Sequence, residues 1–264
     1  MTTLVVGASG YLGSEVAARA GRDVVGTRSA DLDITDRAAV LALVSAVRPR
    51  VVVNCAYRND SWAVCADGAA HVALAAAAVG ARLVHVSTDA LHGGRPTPYG
   101  DAEPPTPVHM YGAAKAAAET AVTAIDPSAV LVRTSLIVDG DGRSKQIALC
   151  RDMIEGRIPG GALFADEYRC PVDVGDLAAA VLELAASDVA GTLNVAGPEP
   201  VSRVRLGELV AARWGLDPAR IPVDTVAARG LHRPADVRLD ASRAAGLLAT
   251  PLRPVSEILA RPLT

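Results

Sequence analysis

The chain of 264 residues is 50% apolar and 21% charged, so it folds around a core and is not a disordered segment. A formal net charge of −3, no basic block and only 3% aromatics argue against nucleic acid and against anionic membranes as partners. Cysteines 55, 65, 150 and 170 show neither CxxC nor Cys/His ligand spacing, so we expect reduced thiols in a cytoplasmic protein and no metal site.

Apolar runs alternate with amphipathic stretches from the start. Residues 4–6 read as a buried strand and 9–19 as a helix. No signal peptide is expected, because Gly7 interrupts the first apolar run too early. Residues 24–25 are strand-like, and 36–47 form a helix with Thr35 or Asp36 as its N-cap. A strand at 51–54 precedes an Ala-rich helix at 63–79, whose apolar run at 72–79 is far short of a membrane span. A strand at 83–87 leads into a Pro- and Gly-rich loop at 91–107, then a helix at 111–125 and a strand at 130–133. This rhythm predicts an α/β fold with a doubly wound parallel sheet. Past residue 136 it weakens: helices are expected at 147–154, 177–186 and 206–214, with a strand at 192–196. We expect a cofactor domain over 1–140, with a segment near 168–196 returning to its sheet, and a smaller substrate-binding cap over 141–264.

The strand at 4–6 runs directly into GASGYLG, which places Gly7, Gly10 and Gly13 in a GxxGxxG spacing. Glycines there allow a tight turn, close approach of backbone N–H groups to a pyrophosphate, and tight helix–strand packing. The helix start adds a favourable field for the anion. The end of the second strand selects the dinucleotide, because a carboxylate there would hold a ribose hydroxyl and repel a 2′-phosphate. Arg28 stands in that stretch and can pair with a phosphate. NADP is therefore preferred, and NAD stays possible through Asp31 or Asp33.

Tyr111 and Lys115 form a YxxxK on one helical face. The chain has only two lysines, Lys115 and Lys145, which suggests that an amine is needed at the first. A nearby ammonium favours the phenolate and is expected to lower the tyrosine pKa. A phenol so tuned gives a proton to a carbonyl oxygen as hydride reaches the carbon. Thr88, at the C-terminal end of a strand, can hold the same oxygen; a plainer role is to cap local backbone.

Taken together, GASGYLG at 7–13, DLDITD at 31–36, RPRVVVNCA at 48–56, HVSTD at 85–89, YGAAK at 111–115, RTS at 133–135, CPVDVGDLA at 170–178 and HRPADVRLD at 232–240 resemble the extended short-chain dehydrogenase/reductase superfamily. Within it, the likeness is to the dTDP-4-dehydrorhamnose reductase family of sugar-nucleotide reductases. The resemblance implies a Rossmann-type sheet, reduction of a keto group on a nucleotide-linked deoxysugar, and a catalytic set of Thr88, Tyr111 and Lys115. It implies a cofactor site at Gly7, Gly10, Tyr11, Leu12 and Gly13, with Asp33 and Ile34 at the adenine, Cys55 and Ala56 along the ribose, and Lys115 on the nicotinamide ribose. Three segments depart from the family pattern: Leu136–Ile137–Val138 replaces an aromatic run, GDGRSKQIA stands at 140–148, and ALHGG follows Asp89. All three fall where sugar and nucleotide are expected.

Arg143, Lys145, Arg169 and Arg238 are candidates for a substrate diphosphate. His85 reads as a packed, hydrogen-bonded core residue, and His92 as a residue at the substrate mouth. Asp166 and Glu167 read as a solvated loop, and Trp62 and Trp214 as packing residues. By analogy with the superfamily, the Ala-rich helices 69–78 and 113–124 form a homodimer face. Two alternatives remain open: an NAD-dependent sugar-nucleotide epimerase or dehydratase, and a non-catalytic NADP-binding regulatory protein.

Overall fold

A computed structural model describes residues 2–260. The apolar runs form one six-stranded sheet from β1 (Thr3–Val6), β2 (Val24–Thr27), β3 (Val51–Asn54), β4 (Arg82–Thr88), β5 (Val130–Thr134) and β6 (Gly191–Asn194). The order is β2-β1-β3-β4-β5-β6, and every pairing is parallel. β1, β3 and β5 are buried along their whole length, as strands covered on both faces must be.

The helices are α1 (Tyr11–Arg19), α2 (Arg37–Val47), α3 (Gly68–Ala78), α4 (Met110–Ile125), α5 (Lys145–Ile154), α6 (Val174–Ala185), α7 (Arg203–Trp214), α8 (Ser242–Leu247) and α9 (Val255–Ala260). On one face, Leu12 and Val16 of α1 meet Leu177, Val181 and Leu184 of α6 over Val5, Val53 and Val132. On the other, Val40 and Val44 of α2, Val72 and Ala76 of α3 and Val122 of α4 cover Leu4, Val52 and Leu83. Each fully buried Val or Leu contributes about 1.5–3 kcal/mol of hydrophobic stabilisation. The alanines of α3 add little surface but no bulk, so that helix lies close to its neighbours.

The chain leaves β1 for β2 on one side and returns to β3 on the other. The two connections diverge, which opens a crevice at the C-terminal ends of β1 and β3, where sheets of this kind bind ligands. Asp36 caps α2 by accepting the Ala39 N–H at 3.0 Å. The first helix begins at Tyr11, two residues later than its pattern suggested, because residues 7–10 make the turn. The Ala-rich helix opens with a π-helical turn over Ala63–Asp67. That wider turn sends Ala63 and Val64 to the crevice while burying Cys65 and Ala66.

After β5 regular structure thins to short pairs: Ile137–Val138 with Val172–Asp173, Leu163–Phe164 with Val223–Asp224, and Tyr168–Arg169 with Val201–Ser202. A separate apolar cluster unites Val138, Ile147, Leu163, Leu206, Val210 and Ile258 between α5, α7 and α9. α6 and β6 instead belong to the sheet layer. The sequence pattern gave no sign of α8 and α9, which are six residues each and too short to show a period.

Candidate active site

The glycine turn is pressed onto the end of β3. Gly7 has φ +83°, and a Cβ there would sit 2.9 Å from the backbone of Ala56. A Cβ on Gly13 would lie 2.1 Å from the Gly7 carbonyl oxygen. Only glycine fits either place. α1 starts at Gly10 without a side-chain cap, so its first N–H groups point out of the turn uncommitted. A cleft of about 490 Å³ opens beside it. Of the residues expected at a cofactor, Gly7, Gly10, Arg28, Asp33, Ile34, Cys55 and Ala56 line this cleft. Bare backbone at the turn, free helix N–H groups and a polar far end fit a dinucleotide.

Leu12 and Gly13 are buried beneath the turn. The Tyr11 side chain reaches Asp139, to which its hydroxyl donates a hydrogen bond. Burial and that carboxylate hold the Tyr11 phenol above its ordinary range.

At the far end, Arg28 is exposed and grips Asp31 through Nε at 2.8 Å and a terminal nitrogen at 2.9 Å. The pairing holds the Asp31 carboxyl down at about 2. Asp31, considered above for a ribose, is thus turned to Arg28. Asp33 accepts from both the N–H and the hydroxyl of Thr35.

Thr88, Tyr111 and Lys115, expected to be catalytic, lie at the C-terminal edge of β4 and on the facing side of α4. His109 starts this helix by accepting the Gly112 N–H at 3.0 Å. Tyr111, Lys115 and Glu119 then follow at four-residue steps on one face. Tyr111 packs on Cys65 and Ala114, with the Tyr57 ring 6.4 Å away, centre to centre. Tyr57 also lines the cofactor cleft, so it joins cleft and phenol. The Thr88 hydroxyl accepts the Ala90 N–H at 3.2 Å, the local capping role weighed above. It also neighbours the phenol: its hydrogen bonding pulls the Tyr111 pKa down.

One expectation is overturned. The Tyr111 pKa is raised, not lowered, because burial of the phenol dominates over Thr88. The Lys115 amine is engaged on β4. It is fully buried, donates to the Val86 carbonyl at 2.6 Å and lies 3.1 Å from His85 Nε2. Burial lowers the Lys115 pKa to about 8. Beside it, Glu119 takes a two-point contact from Arg133, with one N–O distance of 2.7 Å, and accepts from Ser87 at 2.5 Å. This buried cluster ties α4 to β4 and β5, and so places Tyr111 and Lys115. Continuing the YxxxK by one more turn, to Glu119, would have pointed to it.

His85 is a buried, hydrogen-bonded residue, as read from the sequence. His92 is not at an open mouth: it is fully buried, stacked on Tyr99 with ring centres 4.0 Å apart. Trp62 is 45% exposed and Glu167 is buried beside Arg233, the reverse of their expected settings. Arg169 is buried, its guanidinium committed to the carbonyls of Tyr168, Pro234 and Ala235. Arg238 is committed to Asp236 and to the Pro96 carbonyl. Of the diphosphate candidates, Arg143 and Lys145 remain exposed. Burial pushes the Cys55 thiol up to about 12, so it meets the cleft as an un-ionised wall. Among the described residues no helix is long and apolar enough to cross a membrane.

A parallel sheet with this cleft, and a threonine, tyrosine and lysine at the sheet's C-terminal edge, define a Rossmann-type oxidoreductase scaffold of the extended short-chain dehydrogenase/reductase class. A family described as RmlD substrate binding domain matches residues 1–264, and the chain belongs to it. The dTDP-4-dehydrorhamnose reductase of Mycobacterium tuberculosis (strain CDC 1551 / Oshkosh) is 36% identical over 239 residues, covering 83% of this chain and 77% of that protein. A probable dTDP-4,6-dihydroxy-2-methyloxan-3-one 4-ketoreductase of Streptomyces antibioticus is 34% identical over 96% of this chain and 91% of its own length. The crystal structure of a dTDP-4-dehydrorhamnose reductase from Bacillus anthracis in complex with NADP shares the fold, with a TM-score of 0.86, 24% identity and 98% and 97% of the two chains covered.

Proposed function

We propose that the chain is an NADPH-dependent ketoreductase that reduces a keto group on a nucleotide-linked deoxysugar. The observation that supports this is the meeting of Thr88, at the end of β4, with Tyr111 and Lys115 of α4, in a chain that also has a cleft beside its glycine turn and whose relatives are named as reductases of dTDP-4-keto sugars. NADPH, when bound, supplies the hydride. The residues of the chain supply position and protons. The glycine turn and the α1 N-terminus hold the pyrophosphate, Asp33 and Ile34 flank the adenine, and Arg28 faces the 2′-phosphate. The Tyr111 phenol is protonated at neutral pH; burial makes it a weaker acid than a free tyrosine, but it can still give its proton to the more basic alkoxide oxygen that forms on the substrate. Thr88 offers a second hydrogen bond to that oxygen.

In this reading residues 1–140, with the stretch 168–196, serve the cofactor, and 141–264 cap the substrate. Arg143 and Lys145, at the mouth of that cap, face its diphosphate. The protein works in the cytoplasm, as a homodimer joined through α3 and α4, which size-exclusion chromatography with light scattering tests. The test of function is NADPH oxidation against a panel of dTDP-4-keto-6-deoxysugars and simple ketones. Turnover of a keto sugar is expected. Tight NADPH binding with no turnover across the panel would favour the regulatory reading, and co-purified, non-exchanging NAD the epimerase.

A further inference from the structure

The residues behind Lys115 form a buried chain of hydrogen bonds whose polarity can be read. The Ala56 N–H donates to Asn54 Oδ1 at 3.1 Å. That turns the Asn54 amide nitrogen, a donor only, toward His85 Nδ1 at 3.2 Å. His85 Nδ1 must then accept, which puts the proton of the neutral ring on Nε2. Nε2–H meets Lys115 Nζ at 3.1 Å, and only an uncharged amine has a lone pair to receive it. Lys115 still donates to the Val86 carbonyl. The opposite assignment, an ammonium donating to Nε2, would set the Nδ1–H against the Asn54 NH₂ with both side chains buried.

The surroundings agree. Lys115 faces Cys55 from the end of β3, Cys65 from the π-helical turn, and Glu119 on its own helix. The Glu119 charge is already taken up by Arg133 of β5, and Asp89, at the end of β4, by Ser135 and the nearby Arg169. A lysine buried without a free counter-ion loses its proton readily. We infer that His85 is a positioning residue for Lys115: with Asn54 it parks the amine against β4 and favours its uncharged form. This rests on the reading of Lys115 as part of the catalytic set, and it assigns to the adjoining strand pair the control of that lysine's place and charge.

Two lysines and five histidines make the inference testable by NMR on the unliganded protein. With ¹³Cε-lysine labelling, Lys145→Arg assigns the two signals. We expect Lys115 to titrate near 8, so the uncharged amine predominates above that pH. His85→Gln, whose carbonyl can accept from an ammonium, should raise that value by about one pH unit or more. In wild type, above the pH at which Lys115 loses its proton, ¹⁵N shifts should show the His85 ring protonated at Nε2 with Nδ1 accepting. An Nδ1–H tautomer, or a Lys115 titration unmoved by His85→Gln, would overturn the inference. The tautomer is read on wild type, so a variant that fails to fold leaves the test intact. None of these readouts needs turnover, so failure of the keto-sugar panel is a separate result.

Discussion

Two cations of the proposed site, Arg28 and Lys115, are held in opposite ways. Arg28 is exposed and bonded to an exposed Asp31. Lys115 is wholly buried and bonded to a carbonyl and an imidazole. An exposed pair is screened by water and salt, so a ligand's phosphate can displace Asp31 at small cost. A buried amine has no such freedom, and its position is set by every group around it. The Arg28 end is therefore adjustable and the Lys115 end is fixed.

The largest expected effect falls at the fixed end. Glu119→Ala strands Arg133 in the core and should destabilise the protein by about 3–5 kcal/mol, the usual cost of breaking a buried ion pair. Chemical unfolding measures this. A change near zero would mean that α4 is not held by Glu119, and the contrast between the two ends would collapse.

A second effect appears in acid. The His92 pKa is lowered from 6.5 to about 4, chiefly by burial, with Arg133 and Arg95 adding. Between these values the unfolded chain binds a proton that the folded chain refuses. Stability is thus full above 6.5 and falls as pH drops toward 4, by a few kcal/mol at most, on the order of 3. His92→Phe, which can keep the stack on Tyr99, should remove this share of the acid sensitivity. Equal pH dependence of the unfolding midpoint in variant and wild type would contradict it.

The smallest effect belongs to the adjustable end. Arg28→Ala should shift the preference from NADPH toward NADH by about tenfold or less, and Asp31→Ala should shift it the other way by freeing the arginine. Cofactor titrations that find both variants unchanged would show that neither residue faces the 2′-position.

Legibility in the sequence followed periodicity and spacing. The sheet and its helices were readable because strands covered on both faces are continuous apolar runs, as in TLVV and VVVN. The glycine turn was readable because steric exclusion at Gly7 and Gly13 admits one residue type. The YxxxK was readable because four residues make about one helical turn. What depended on contacts between distant segments was not readable. Arg133–Glu119, His92–Tyr99 and Asn54–His85 join residues from different elements. The raised Tyr111 pKa was missed for a related reason: spacing puts Lys115 near the phenol, but His85 and Val86 on the facing strand decide where the amine points.

In the proposed reaction the Tyr111 phenol gives the proton when a keto sugar is reduced. The direct measurement compares wild type and Tyr111→Phe for NADPH oxidation with a dTDP-4-keto-6-deoxysugar, alongside NADPH affinity by fluorescence titration. Turnover by wild type is expected, with a loss of about 10²–10⁴-fold in the variant and nearly equal affinity for NADPH. Equal rates in the two proteins would contradict it.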